Sequence, residues 1–173
     1  MSVFTALGEE HALLLRLVGR LERGTADPDE RAAARETRNI LLVLLKGLEA
    51  HERLEHLVFD SVASPSAAAL AALALVEGQH ALLAALREEA GELLRNVSSG
   101  ESAPLRPFVL RLARLLRRHF EAEERELWPS FNALATRSTL SRLDRQAHAQ
   151  VRAMEGEIDR YWAQVADYLT GDR

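Results

Sequence analysis

The sequence predicts an all-α fold, an up-down-up-down four-helix bundle with an additional C-terminal helix, and three observations carry that expectation. Leucine and alanine supply 31 and 28 of the 173 residues, against only 18 Val, Ile and Thr together. That ratio favours helix and nearly excludes a sheet. Apolar positions recur at three- and four-residue spacing, and the few helix breakers fall between the periodic stretches. With 47% apolar and 28% charged residues, the chain has a globular balance, and its length suits one domain with a real core rather than two.

The first periodic stretch runs from about Ser2 to Arg23, with Leu7, His11, Leu14, Leu15 and Val18 on one face, and Gly24-Thr25-Ala26 closes it. Asp27-Pro28-Asp29-Glu30 reads as a helix start, with Asp27 as N-cap, Pro28 in the first turn and Glu30 completing a capping box. The second helix continues to about Val62; it is polar nearly all round over Glu30–Asn39, and its apolar stripe begins at Ile40. Ser64-Pro65 separates it from a third helix, about Ser66 to Arg95, and Asn96–Ala103 is a loop. A fourth helix begins near Pro104 and is expected to end around Trp128, because Pro129 cannot continue it cheaply. N-cap candidates within Thr136–Ser141 open a fifth helix over Leu140–Leu169. No internal repeat is evident. The expected division is a bundle over 1–135 and an appended helix over 136–173, packing on the bundle or at a homodimer interface through Tyr161, Trp162 and Tyr168.

A net charge of −4 makes the chain a poor match for nucleic acid, and the Arg111/Arg114/Arg117/Arg118 cluster reads as a solvated face pairing with acidic neighbours. The absence of cysteine excludes disulfides, thiolate metal sites and thiol redox chemistry. The longest unbroken apolar run, Ala67–Val76, is too short for a membrane span, and Glu9, Glu10 and His11 interrupt any signal-peptide pattern. A cytoplasmic location without a membrane partner is the expectation.

Function is signalled by what interrupts the apolar stripes. The second helix reads Leu44, Gly47, Leu48, His51, Glu55, Val58; the fourth reads Leu112, Leu115, Leu116, His119, Glu123, Leu127. Each places a histidine and a carboxylate four residues apart, on one side of the helix, where apolar residues belong. His11 and His80 interrupt the first and third stripes. A lone histidine on an apolar face is most often an ordinary core or boundary residue. Here four helices each contribute one, and two add the carboxylate. Burying such groups unpaired costs several kcal/mol each, and a cation offsets that cost.

Height along the helices agrees for two connections. His80 and His119 are centred on the Asn96–Ala103 loop, and Glu55 and His80 lie close to symmetric about Ser64-Pro65. His11 and His51 are centred on Arg31, past the first turn, so either the polar start of the second helix overhangs or that connection is not a tight turn. Four imidazoles, two bridging carboxylates and a solvent-derived bridge would fill roughly ten of the twelve octahedral positions of two irons. That leaves a vacancy for a small ligand. An all-N/O donor set suits Fe or Mn and does not exclude Zn.

These residues resemble the hemerythrin-like family, also called the HHE cation-binding domain. The resemblance covers about Val3–Phe131 and rests on His11, His51-Glu52-x-x-Glu55, His80 and His119-x-x-x-Glu123-Glu124. It implies two iron ions bridged by two carboxylates and an oxo or hydroxo group. It also implies a small partner, O2, NO or peroxide, that is bound, sensed or reduced. Oxygen-carrying members have two histidines four apart on the third helix, whereas Val76 and Ala84 flank His80 here; they also place Asp five residues after the fourth-helix histidine, where this chain has Glu124. Glu52 could replace the missing imidazole from the edge of the site, and this glutamate-richer pattern resembles iron-sensing members more closely.

His56 and His148 are expected off the ligand set, and Glu124 is expected to be an exposed neighbour of Glu123. No nucleophile or acid–base dyad marks a conventional enzyme. Two alternatives remain at this level, a storage or structural-metal protein with a closed site and a metal-free interaction bundle.

Overall fold

In the computed structural model, the described residues are 2–26, 30–61, 66–96 and 105–147. Among them the chain is helical throughout, with no strand. Four long segments lead: α1, Val3–Gly24; α2, Glu30–Phe59; α3, Ala67–Asn96; and α4, Leu105–Ala122. A π-type turn over Glu123–Leu127 joins α4 to α5, Trp128–Leu134, and α6 occupies residues 137–147. The Asp27–Asp29 part of the first cap, Ser64-Pro65, the loop between α3 and α4, His148 and the aromatic residues Tyr161, Trp162 and Tyr168 lie outside the described residues.

Each helix starts and packs for identifiable reasons. Ser2 caps α1 by accepting the Thr5 N–H, and the buried residues Val3, Leu7, His11, Leu14, Leu17, Val18 and Leu21 form a single stripe. On α4 the buried stripe is Leu105, Phe108, Val109, Leu112, Ala113, Leu116, His119 and Phe120. The arginines on its other face are exposed, and two find acidic partners, Arg111 with Glu89 and Arg117 with Glu22. The Thr136 hydroxyl accepts the Thr139 N–H at the start of α6. Further along, Asp144 accepts the Val3 N–H at 3.0 Å and ties α6 to the beginning of α1.

Cross-helix pairs fix the directions. Arg20 meets Glu36 while His51 meets Glu10, so α1 and α2 run antiparallel. Glu52 with Arg87 and Glu55 with His80 give the same result for α2 and α3. Gln79 with His119 and Glu89 with Arg111 do so for α3 and α4. The first connection proves to be an overhang. Gly24, the last residue of α1, lies against Thr37, where a Cβ would stand 2.7 Å from the threonine hydroxyl, so the α2 backbone before Glu36 projects beyond α1.

Two expectations change. Helical backbone does not stop at Trp128; it runs to Leu134, with Pro129 in the first turn of α5. The α ladder has already broken in the π turn, where the Trp128 N–H bonds to the Glu123 carbonyl, and Pro is tolerated at a fresh helix start. The other change concerns α3, which is long and apolar enough by composition alone to cross a membrane. Leu70, Leu75 and Leu82 are exposed on its outer face, while its His80 and Arg87 pair with Glu55 and Glu52 of α2.

The core divides into two blocks. One is built from Leu14–Leu21, Ile40–Leu48, Leu83–Leu94 and Phe108–Phe120, the other from Val3, Leu7, Leu54, Val58, Ala69–Val76, Leu127–Phe131, Leu143 and Ala147. Where the two blocks meet along the chain, or one residue outside that boundary, lie the polar positions 11, 51, 55, 80 and 119 of the four long helices and 123 of the π turn.

Candidate metal centre

His11, His51, Glu55, His80, His119 and Glu123 converge in this polar layer, with at most 12% exposure for His80 and 0–1% for the other five. His11 Nε2 lies 2.9 Å from His51 Nε2 and 3.0 Å from Glu123 Oε2. Glu55 Oε1 is 2.8 Å from His51 Nε2, and its Oε2 is 3.0 Å from His80 Nε2. Nε2 of His119 stands 3.6 Å from Glu123 Oε1 and 4.0 Å from Glu55 Oε1. The donors form two groups, His11–His51–Glu55–Glu123 and Glu55–His80–His119–Glu123, each with ligand atoms within 4.8 Å of one another. Both carboxylates belong to both groups, which is the arrangement two adjacent cations need.

Apart from the His11–His51 contact, these short distances are not hydrogen bonds. All four oxygens of Glu55 and Glu123, and Nε2 of His80, are buried without a hydrogen-bond partner. Outer contacts explain why. The His11 Nδ1 faces Glu124 Oε1 at 2.8 Å, that of His51 faces Glu10 Oε2 at 2.7 Å, and that of His119 faces Gln79 Oε1 at 3.2 Å. At His11 and His119, where burial favours the neutral ring, an N–H donated outward at Nδ1 leaves a bare lone pair at Nε2 aimed at carboxylate oxygens. Orphaned donors of this kind, buried at one level, fit a metal and are costly without one.

Burial pushes the His11 imidazole down to about 4, with the neighbouring His51 adding to the shift, and burial holds His119 down to about 3. Burial, followed by the charge of Glu55, pushes Glu123 up to about 10. Burial also opposes charge on His51, yet Glu55 and Glu10 hold it well above the ordinary imidazole range. Burial likewise opposes charge on Glu55, but the imidazoles of His51, His80 and His119 hold it well below the ordinary carboxylate range. Without a cation the layer balances one carboxylate against one imidazolium and keeps a proton on Glu123. A metal ion would replace those protons.

The start of the π turn makes a contact that helical spacing does not anticipate. Glu123 and Glu124, the fourth and fifth residues after His119, open that turn, and both face α1. Glu123 meets Nε2 of His11 and Glu124 meets its Nδ1. Glu124 is therefore not merely an exposed neighbour, although 53% of its side chain is in solvent. Glu52 lies outside both donor groups and pairs with Arg87 at 2.8 Å, consistent with its position about 100° round the helix from His51. His56 is exposed, its ring centroid 5.9 Å from that of His80. Glu10 and Gln79 escaped the sequence reading because a polar residue beside a ligand looks like ordinary surface. The available signal was their shared position, immediately before His11 and His80.

The family model of the hemerythrin HHE cation-binding domain matches residues 71–172, rather more than half of the chain. The chain belongs to the hemerythrin HHE family. No curated protein and no solved structure matches it. The HHE match includes His80, His119 and Glu123 and leaves out His11, His51 and Glu55. The donor pattern is also duplicated along the chain. A histidine-bearing helix followed by a His-x-x-x-Glu helix occurs twice, with His11 preceding His51 by 40 residues and His80 preceding His119 by 39. The match covers the second copy and leaves the first outside. The donor positions thus contain a repeat that the full sequence does not advertise.

Proposed function

We propose that the chain is an up-down-up-down bundle holding two iron ions, joined by Glu55, Glu123 and a solvent-derived bridge, and that it binds or reacts with a small oxidant in sensing or defence. The supporting observation is the pair of buried donor groups that share both carboxylates. His11 and His51 would hold one ion and His80 and His119 the other. Iron bound there would supply the Lewis-acid and redox chemistry that O2, NO or peroxide requires.

The protein's own contribution is to orient donors and exclude water. Phe120 stacks on His11 with ring centroids 4.1 Å apart and lies 5.6 Å from His51 and 5.5 Å from His119. One apolar ring therefore braces three imidazoles. Apolar residues flank the donors on both sides along the helices.

Metal analysis after iron-supplemented expression should give close to two irons per chain; less than one would overturn the reading. Anaerobic reduction followed by O2 should then produce a new charge-transfer absorption. An unchanged spectrum with two irons present would point to a closed storage or structural site.

A further inference from the structure

The donor pattern is duplicated, but what stands behind it is not. In the first copy Glu10, immediately before His11, accepts from His51 of the next helix. In the second copy Gln79, immediately before His80, accepts from His119 of the next helix. Corresponding positions thus hold a carboxylate and an amide. The same contrast recurs one step after each shared glutamate. Glu124 follows Glu123 and accepts from His11 at 2.8 Å. His56 follows Glu55, and its ring lies 5.9 Å from that of His80, whose own ring makes no hydrogen bond among the described residues. The Glu10 carboxylate is three-quarters buried, which limits competition from water.

We propose, resting on the metal reading above, that the two metal positions are unequal: His11 and His51 take a first ion tightly, and His80 and His119 take a second, exchangeable ion. A carboxylate behind an imidazole fixes its tautomer and ring orientation and raises its basicity; an amide does this weakly, and solvent hardly at all. Removing such an outer partner typically costs 10–100-fold in metal affinity. The first position has two carboxylates behind its imidazoles, and the second has one neutral amide at 3.2 Å. The half-loaded chain is then a defined species, and free metal concentration sets how much of the two-ion form exists.

The test is titration of metal-free chain with Mn2+ alone, followed by calorimetry and by electron paramagnetic resonance of the bound ion. Two steps separated by at least about tenfold are expected. His11→Ala should remove the tight step, whereas His80→Ala should remove the weak one, with helix content checked by circular dichroism. Glu10→Gln should weaken the first step about tenfold, and Gln79→Glu should tighten the second by a similar factor. Two ions bound with one affinity, loss of the same step in both histidine variants, or tightening of the first step by Gln79→Glu would overturn the inequality while leaving the metal reading intact. No binding of any ion by the folded wild-type chain would instead overturn the metal reading itself.

Discussion

In the α1–α2 hairpin both donor imidazoles rest on carboxylates, Glu124 behind His11 and Glu10 behind His51, whereas in the α3–α4 hairpin His119 rests on the Gln79 amide. Packing differs in the same sense. In α1–α2 the helices approach closely at two glycines: a Cβ on Gly24 would stand 2.7 Å from the Thr37 hydroxyl, and one on Gly47 would stand 3.0 Å from Leu14 Cδ2. On α3 a Cβ at Gly78 would meet nothing within 4 Å, and leucines face outward. A repeated ligand pattern does not imply a repeated environment, because a ligand's strength is set by what holds it as well as by its identity.

The largest expected effect comes from the carboxylates that the hairpins share. Glu55→Ala should cost both ions and lower the melting temperature of the metal-loaded chain, since a ligand bound only to the native state stabilises it. His119→Ala should also strip metal and lower the melting temperature, whereas His148→Ala should do neither. Metal analysis and thermal melting check this, and equal effects from all three would break the site assignment. Next is Phe120→Ala, which removes the ring bracing three imidazoles. Destabilisation of about 3–5 kcal/mol is expected in urea unfolding of the metal-free chain.

Smaller effects should separate the hairpins. Gly24→Ala and Gly47→Ala should each cost about 1–3 kcal/mol through overpacking. Gly78→Ala should instead gain about 0.5–1 kcal/mol, by removing a helix-interior glycine where space is free. The same sign at all three positions would erase the packing contrast. Least of all, Arg117→Ala should cost under about 1 kcal/mol, because its ion pair with Glu22 is largely in solvent.

Legibility followed burial. Apolar stripes on α1 and α4 predict their helices because each turn must bury the same face, and His51/Glu55 and His119/Glu123 stand out as polar residues on that face. Glu10, Gln79 and Glu124 did not stand out. They are partly exposed groups whose role depends on an imidazole about 40 or 113 residues away in sequence. The π turn was equally hidden: Pro129 announces a break in the ladder but not that the break lies one turn earlier, starting at the two carboxylates that face α1.

By itself the sequence determined that the chain is helical and that six nitrogen and oxygen donors interrupt its buried faces, because both properties are local and periodic. Tertiary structure decided that the donors meet as two groups sharing Glu55 and Glu123, that α2 overhangs α1, and that the two pairs of imidazoles are supported unequally. Those outcomes depend on distances between helices, and period along one helix carries no information about them.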